Sequence, residues 1–88
     1  MTFAVEITPE GARRLHRLPT KVLDAAVALI YGALADKPRP VGKPLVGELE
    51  GLWSARRGDY RIVYEIDDDE QVLLIHRIQH RADAYRRR

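Results

Sequence analysis

Residues 52–66, LWSARRGDYRIVYEI, read as two strands closed by a tight turn. Gly58 tolerates positive φ and Asp59 favours turns, so Gly58-Asp59 supplies a two-residue connection. That connection sets a register. Arg57 pairs with Tyr60, Arg56 with Arg61, Ala55 with Ile62, Ser54 with Val63 and Trp53 with Tyr64. Side chains alternate across a sheet, so one face carries Trp53, Ala55, Tyr60, Ile62 and Tyr64, the makings of a core. The other face carries Ser54, Arg56 and Arg61. Like charges directly opposite each other destabilise a sheet. A fold seldom needs Arg56 beside Arg61, whereas a site for an anion does. The other reading is a pair of arginines spreading into solvent, with their stems covering apolar surface.

The flanking chain supplies the rest of a small α+β domain. Phe3, Val5 and Ile7 alternate with Ala4 and Glu6, a first strand with one buried face. Thr8 is placed as an N-cap and Pro9 as the first residue of a helix over 9–18, with Ala12, Leu15 and Leu18 inward and Arg13, Arg14 and Arg17 outward. Thr20 caps a second helix over 21–35, where Leu23, Ala26, Val27, Ile30 and Leu34 follow helical spacing. The two helices form a hairpin packed on the sheet. The loop 36–44, with three prolines and a glycine, is an extended connector. Asp67 to Glu70 form an acidic turn into a last strand over 71–79. With Asp68-Asp69 as the turn, Arg61 faces His76, and Arg56, Arg61 and His76 form one row across three strands. The expected fold is therefore α+β in a single domain, 1–88: an N-terminal strand, a two-helix hairpin and a three-stranded antiparallel meander. These make a four-stranded sheet with the helices on one face, followed by a short C-terminal helix or tail.

Eighty-eight residues can bury one modest core, with little stability to spare. The absence of cysteine excludes disulfides, thiol catalysis and cysteine-based zinc sites. No basic segment followed by an apolar run opens the chain, and no apolar stretch approaches a membrane span, so a cytoplasmic protein without membrane attachment is expected. Net charge is only +2, but its distribution is uneven. Bases cluster at 13–17, 56–61 and 76–88, and local basic surface points to nucleic acid or an acidic partner.

A row of cations suits a phosphodiester. RNA cleavage through its own 2′-hydroxyl passes through a phosphorane with added negative charge, and preorganised donors aimed at that charge supply roughly 3 kcal/mol each. Arginine's planar fork pairs with two phosphate oxygens. The 2′-hydroxyl would also separate RNA from DNA as substrate. His16, His76 and His80 are too scattered to read as metal ligands, and neither a metal nor another cofactor is expected. Arginine is a poor proton-transfer group, so acid and base must come from elsewhere. His76 and His80 are candidates, as is Tyr85 among its neighbouring cations. Each also has a structural alternative, as a hydrogen-bonding or packing residue.

The hairpin wording LWSARRGDYRIVYEI, followed by IHRIQHRADAYRR, resembles the RelE family of toxin–antitoxin toxins, especially its actinobacterial, mycobacterial-type branch. The similarity covers residues 5–86. It implies a ribosome-dependent endoribonuclease that enters the ribosomal A site beside ribosomal RNA and cuts mRNA without metal. It also implies a RelB-like antitoxin that holds the toxin inactive, with operator DNA bound only through the toxin–antitoxin complex. Carried over by position, Arg61 contacts the scissile phosphate, and Arg81 stabilises the transition state or protonates the leaving oxygen. Tyr85 stacks on or orients the nucleotide, and Arg56 matches a basic strand position before the turn. Arg57, His76, His80, Lys43, Arg13, Arg14 and Arg17 are the further candidates for RNA contact. Ser54 departs from the pattern, since relatives carry a basic residue there that contributes to base function. Arg57, Lys43, Glu48 or His80 are the candidates to replace it. Two other readings stay open. One is a ParE-like toxin that binds DNA gyrase, a class that usually lacks the cationic tail residues. The other is a non-catalytic module that binds nucleic acid or a protein partner.

Overall fold

Gly58, at φ 59°, opens the turn between β3 (Trp53–Arg57) and β4 (Tyr60–Asp67), and the two strands pair in the register expected from the sequence. This computed structural model describes residues 2–80. β1 (Ala4–Ile7) leads into α1 (Pro9–His16) and α2 (Thr20–Leu29). A π-helical turn at Ile30–Leu34 prolongs α2. The short α3 (Pro38–Val41), β2 (Lys43–Pro44) and a 3-10 turn at Gly47–Leu49 then reach the hairpin, and β5 (Val72–His80) closes the sheet.

The sheet has five strands in the order β1-β5-β4-β3-β2. The fifth strand relative to the sequence expectation is β2. It consists of two residues inside the proline-rich connector, pairing Lys43 with Ser54 and Pro44 with Trp53. A strand this short leaves no alternation to read, and Pro44 tolerates an edge position because its missing N–H costs no ladder bond there. β1 lies parallel to β5, which the helical crossover between them permits.

Ile30, Leu34, Ala55, Ile62, Tyr64, Leu73, Ile75 and Ile78 form the core between sheet and helices. The inward row of α2 differs in detail from the expectation. Ala26, Ile30 and Leu34 are buried, but Val27 is exposed and Ala35 is buried in its place. The wider π turn brings Leu34 and Ala35 inward together. Ala35 also accepts a hydrogen bond from the Phe3 amide at 2.8 Å, which docks the start of β1. The N-cap of α2 is Pro19 rather than Thr20, with no capping side chain. α1 ends at His16, two residues short of the expected Leu18.

Thr8 caps α1 and also anchors it. Its Oγ1 accepts from the Gly11 amide at 3.1 Å and donates to the His76 carbonyl at 3.0 Å. Buried at the far side of the core, the Tyr64 hydroxyl donates to the Pro38 carbonyl at 2.6 Å. Gly42 fits beside that ring because any Cβ there would collide with the Tyr64 phenol.

Candidate nucleic-acid interface

The helices cover one face of the sheet, and Lys43, Arg56, Arg61 and Arg77 lie on the other. Cross-strand partners share a face, so the ladders can be read as rows. One row runs Arg56, Arg61, Gln79 across β3, β4 and β5. The adjacent row runs Lys43, Ser54, Val63, Arg77 across β2 to β5. Glu65 lies one step further along β4, level with Leu74 of β5 and Glu6 of β1. The open face is therefore basic towards the Gly58 turn and acidic towards the other end.

The expected third member of the first row is wrong. Gln79, not His76, faces Arg61. Two departures from the simple hairpin explain this. The loop between β4 and β5 spans 68–71, with Asp67 paired to Val72, and Gln71 adopts φ 56°. The ladder then slips by one residue: Tyr64 pairs with Ile75, but Val63 pairs with Arg77, leaving His76 as the extra residue of a β-bulge. The slip changes which residues of β5 face inward. Before the bulge the core takes Leu73 and Ile75; after it, Ile78. Arg77 and Gln79 are thereby turned to the face of Arg61. The bulge frees the His76 carbonyl from the ladder, and the Thr8 hydroxyl satisfies it.

Arg61 is half-buried, and its Nη2 donates to Gln79 Oε1 at 2.8 Å. That bond holds one end of the guanidinium and leaves its other donors available. Arg56, directly opposite, is exposed. His76 is on the open face but points to the acidic end, with Nε2 3.0 Å from Glu65 Oε1. Lys43 stands directly across from Ser54, which places an exposed ammonium beside the position where the resemblance calls for a cation.

The remaining sequence candidates divide between other places. His80 pairs with Tyr60 on the helix side, their rings edge to face at 4.7 Å between centroids. It helps line a cleft of about 260 Å³ with Arg14, Arg17, Leu18 and Ile78. Arg13 is exposed on α1, and Arg57 is exposed at the end of β3 opposite Tyr60. These side chains are separated from Arg61 by the sheet itself. Arg81 and Tyr85 lie outside the described residues. Sequence reasoning missed Gln79 and Arg77. The available signal was the spacing of Leu73, Ile75 and Ile78, where a step of two is followed by a step of three.

A small α+β domain whose sheet has one helix-covered face and one cationic face defines a class of protein, and comparison with known proteins gives it a family. The model of the ParE toxin of the type II toxin–antitoxin system parDE matches residues 5–85. Toxin RelG of Mycobacterium tuberculosis is 48% identical over 87 residues, covering 99% of this chain and 100% of RelG. Toxin RelE of the same organism is 49% identical over 84 residues, covering 96% of this chain and 87% of RelE. The crystal structure of the toxin–antitoxin complex RelBE2 from M. tuberculosis contains a chain that superposes with a TM-score of 0.88 at 44% identity, covering 92% of this chain and 100% of that one. The chain belongs to the RelE/ParE superfamily of type II toxin–antitoxin toxins, as a member of its RelE family.

Proposed function

We propose that this toxin is a ribosome-dependent endoribonuclease that stops translation by cutting mRNA in the A site. The observation that carries the reading is the juxtaposition of Arg56 and Arg61 on the open face, with Arg61 fixed by Gln79. In the proposed reaction the 2′-hydroxyl of one nucleotide loses its proton and its oxygen attacks the adjacent phosphorus. The bond from phosphorus to the 5′-oxygen of the next nucleotide breaks, and that oxygen takes up a proton. The products are a 2′,3′-cyclic phosphate and a 5′-hydroxyl. Arg61 and Arg56 pair with the non-bridging oxygens as their charge rises. Lys43, beside Ser54, contributes the cation that relatives place on the neighbouring strand. The resemblance assigns Arg81 to the leaving oxygen or the transition state, and Tyr85 to the nucleotide. The ribosome positions the strand, which accounts for substrate choice by a site with so little enclosure.

The partner of the neutral state is a RelB-like antitoxin, a reading supported by the relative found in the RelBE2 complex. Operator DNA would be met only through that complex. Among the described residues no helix is long and apolar enough to cross a membrane, and action in the cytoplasm is part of the same proposal.

Induced expression followed by mapping of mRNA 5′ ends tests the proposal. Wild type produces new ends within translated codons, and Arg61→Ala, with an unchanged thermal midpoint, produces none. New ends in the Arg61→Ala strain at wild-type abundance would exclude this site. The ParE description of the matching family model supports a second reading, in which the toxin binds DNA gyrase. A supercoiling assay separates them: inhibition of gyrase without new mRNA ends would favour the second.

A further inference from the structure

We infer that Arg77 is a second phosphate-contacting side chain, gripping the phosphate next to the one held by Arg61. The inference rests on the nuclease reading of the same face and extends it from one phosphate to two. Arg77 pairs with Val63 and is followed two residues later by Gln79, whose side chain bonds Arg61. Residues two apart on a strand share a face, so Arg77 stands on the face of Arg61. Ile78, between them, is buried in the core, which fixes this orientation independently.

Arg61 on β4 and Arg77 on β5 are diagonal cross-strand neighbours, roughly 7–8 Å apart at the backbone. That separation matches the step between successive phosphates of an extended RNA strand. The central positions of the Arg77 row, Ser54 and Val63, carry no charge, and Val63 is 2% exposed. Glu65, two residues from Val63 along β4 on this face, is engaged by His76. A strand entering over Arg61 and leaving over Arg77 thus crosses a neutral floor between two guanidinium groups. The bulge at His76 is what makes this possible, because in an unslipped ladder an odd-numbered residue of β5 would continue the inward set of Leu73 and Ile75. The fold accepts an irregular strand here, and its consequence is a cation at the site.

The test is the salt dependence of binding to a fluorescein-labelled, single-stranded RNA oligonucleotide with 2′-O-methyl riboses, which cannot be cleaved. Each phosphate neutralised contributes about 0.7 to the slope of log affinity against log salt for single strands. Arg77→Gln keeps most of the aliphatic stem and should lower the slope by about 0.7, as should Arg61→Ala, and the two together by about twice that. Arg77→Lys should restore the wild-type slope, which a purely structural role would not predict. A reduced slope for Arg61→Ala alone, with Arg77→Gln indistinguishable from wild type, would overturn the Arg77 assignment and leave the nuclease reading standing. If Arg77→Gln spares RNA binding but weakens the antitoxin complex, Arg77 serves a protein partner and the inference is equally overturned. Unchanged slopes in both variants, or no RNA binding by the wild type, would remove phosphate recognition from this face altogether.

Discussion

Arg61 and Gln79 face each other across β4 and β5, and the Arg61 guanidinium donates to Gln79 Oε1 at 2.8 Å. The arginine is thus positioned before any substrate arrives. Preorganisation of this kind lowers the cost of orienting a donor in the transition state. On the nuclease reading proposed above, Gln79 is a positioning residue that acts through Arg61.

Gln79→Leu removes the acceptor at nearly constant volume. A single hydrogen bond contributes about 0.5–1.5 kcal/mol, so mRNA cleavage should fall about two- to tenfold. Primer extension at matched toxin levels reads the loss, and the thermal midpoint should stay within a few degrees. Cleavage equal to wild type would mean that Arg61 is ordered by the substrate instead.

Deleting His76 removes the extra residue of the bulge, so the Tyr64–Ile75 and Val63–Arg77 pairs become consecutive in one regular ladder. Arg77 and Gln79 then stay on the open face and Ile78 stays in the core. What is lost is the carbonyl that accepts from Thr8 and the imidazole beside Glu65. The deletion variant should fold by circular dichroism, with a loss of about 1–3 kcal/mol. His76→Ala, which keeps the backbone count, should fold with a loss of no more than about 1 kcal/mol. A deletion variant that cannot fold would disprove the register argument.

Thr8→Ala takes away the cap of α1 and the donor to the bulge carbonyl in one step. Loss of an N-cap costs typically about 1 kcal/mol, and an unsatisfied carbonyl adds to it. The midpoint should fall by roughly 4–8 °C for each kcal/mol in a domain of this size. Thr8→Ser should recover most of the loss, and thermal denaturation of the pair checks both statements.

Tyr64→Phe leaves the Pro38 carbonyl with only the Gly42 amide, at 3.3 Å, and loss of the phenol hydrogen bond should cost about 0.5–1.5 kcal/mol by urea denaturation. Burial pushes the Tyr64 phenol up to about 12. The sign follows from proton binding. Between the ordinary phenol range and about 12 the folded protein keeps a proton that the unfolded chain has released. Tyr64 therefore contributes stability below pH ~10 that is lost as pH rises towards the folded value. The alkaline loss of stability should be shallower in Tyr64→Phe.

Arg39 and Asp68 form an exposed bidentate pair, with Nη1 at 3.1 Å from Oδ1 and Nη2 at 2.7 Å from Oδ2. The hydrogen bond from Arg39 holds the Asp68 carboxyl below its ordinary value. The linked stabilisation is present above the ordinary carboxylate range and disappears as pH falls through the lowered folded value. In Arg39→Ala the Asp68 carboxyl should titrate at higher pH, as followed by carbon NMR of the side chain. An unmoved titration would show that the pair does not persist in solution.

Local chemistry determined much of this protein. Gly58-Asp59 specified the β3–β4 register, and through it the opposition of Arg56 and Arg61, because a two-residue turn leaves only one pairing. Thr8-Pro9 marked the start of α1, and alternation in Trp53, Ala55, Ile62 and Tyr64 identified the core face. These features depend on neighbours along the chain or across one tight turn. The wording of the hairpin and tail was enough to point to the toxin family. Tertiary structure decided the rest. Lys43 reaches Ser54 only because the proline-rich connector returns to the sheet edge as β2. His80 is assigned to the helix side, and Arg77 and Gln79 to the side of Arg61, by a bulge that a smooth alternation does not contain. That bulge is stable because Thr8, 68 residues away in sequence, satisfies the freed His76 carbonyl while Ile78 fills the core. A partner at that distance leaves no local periodicity behind, so the composition of the cationic face became visible only once the strands were assembled.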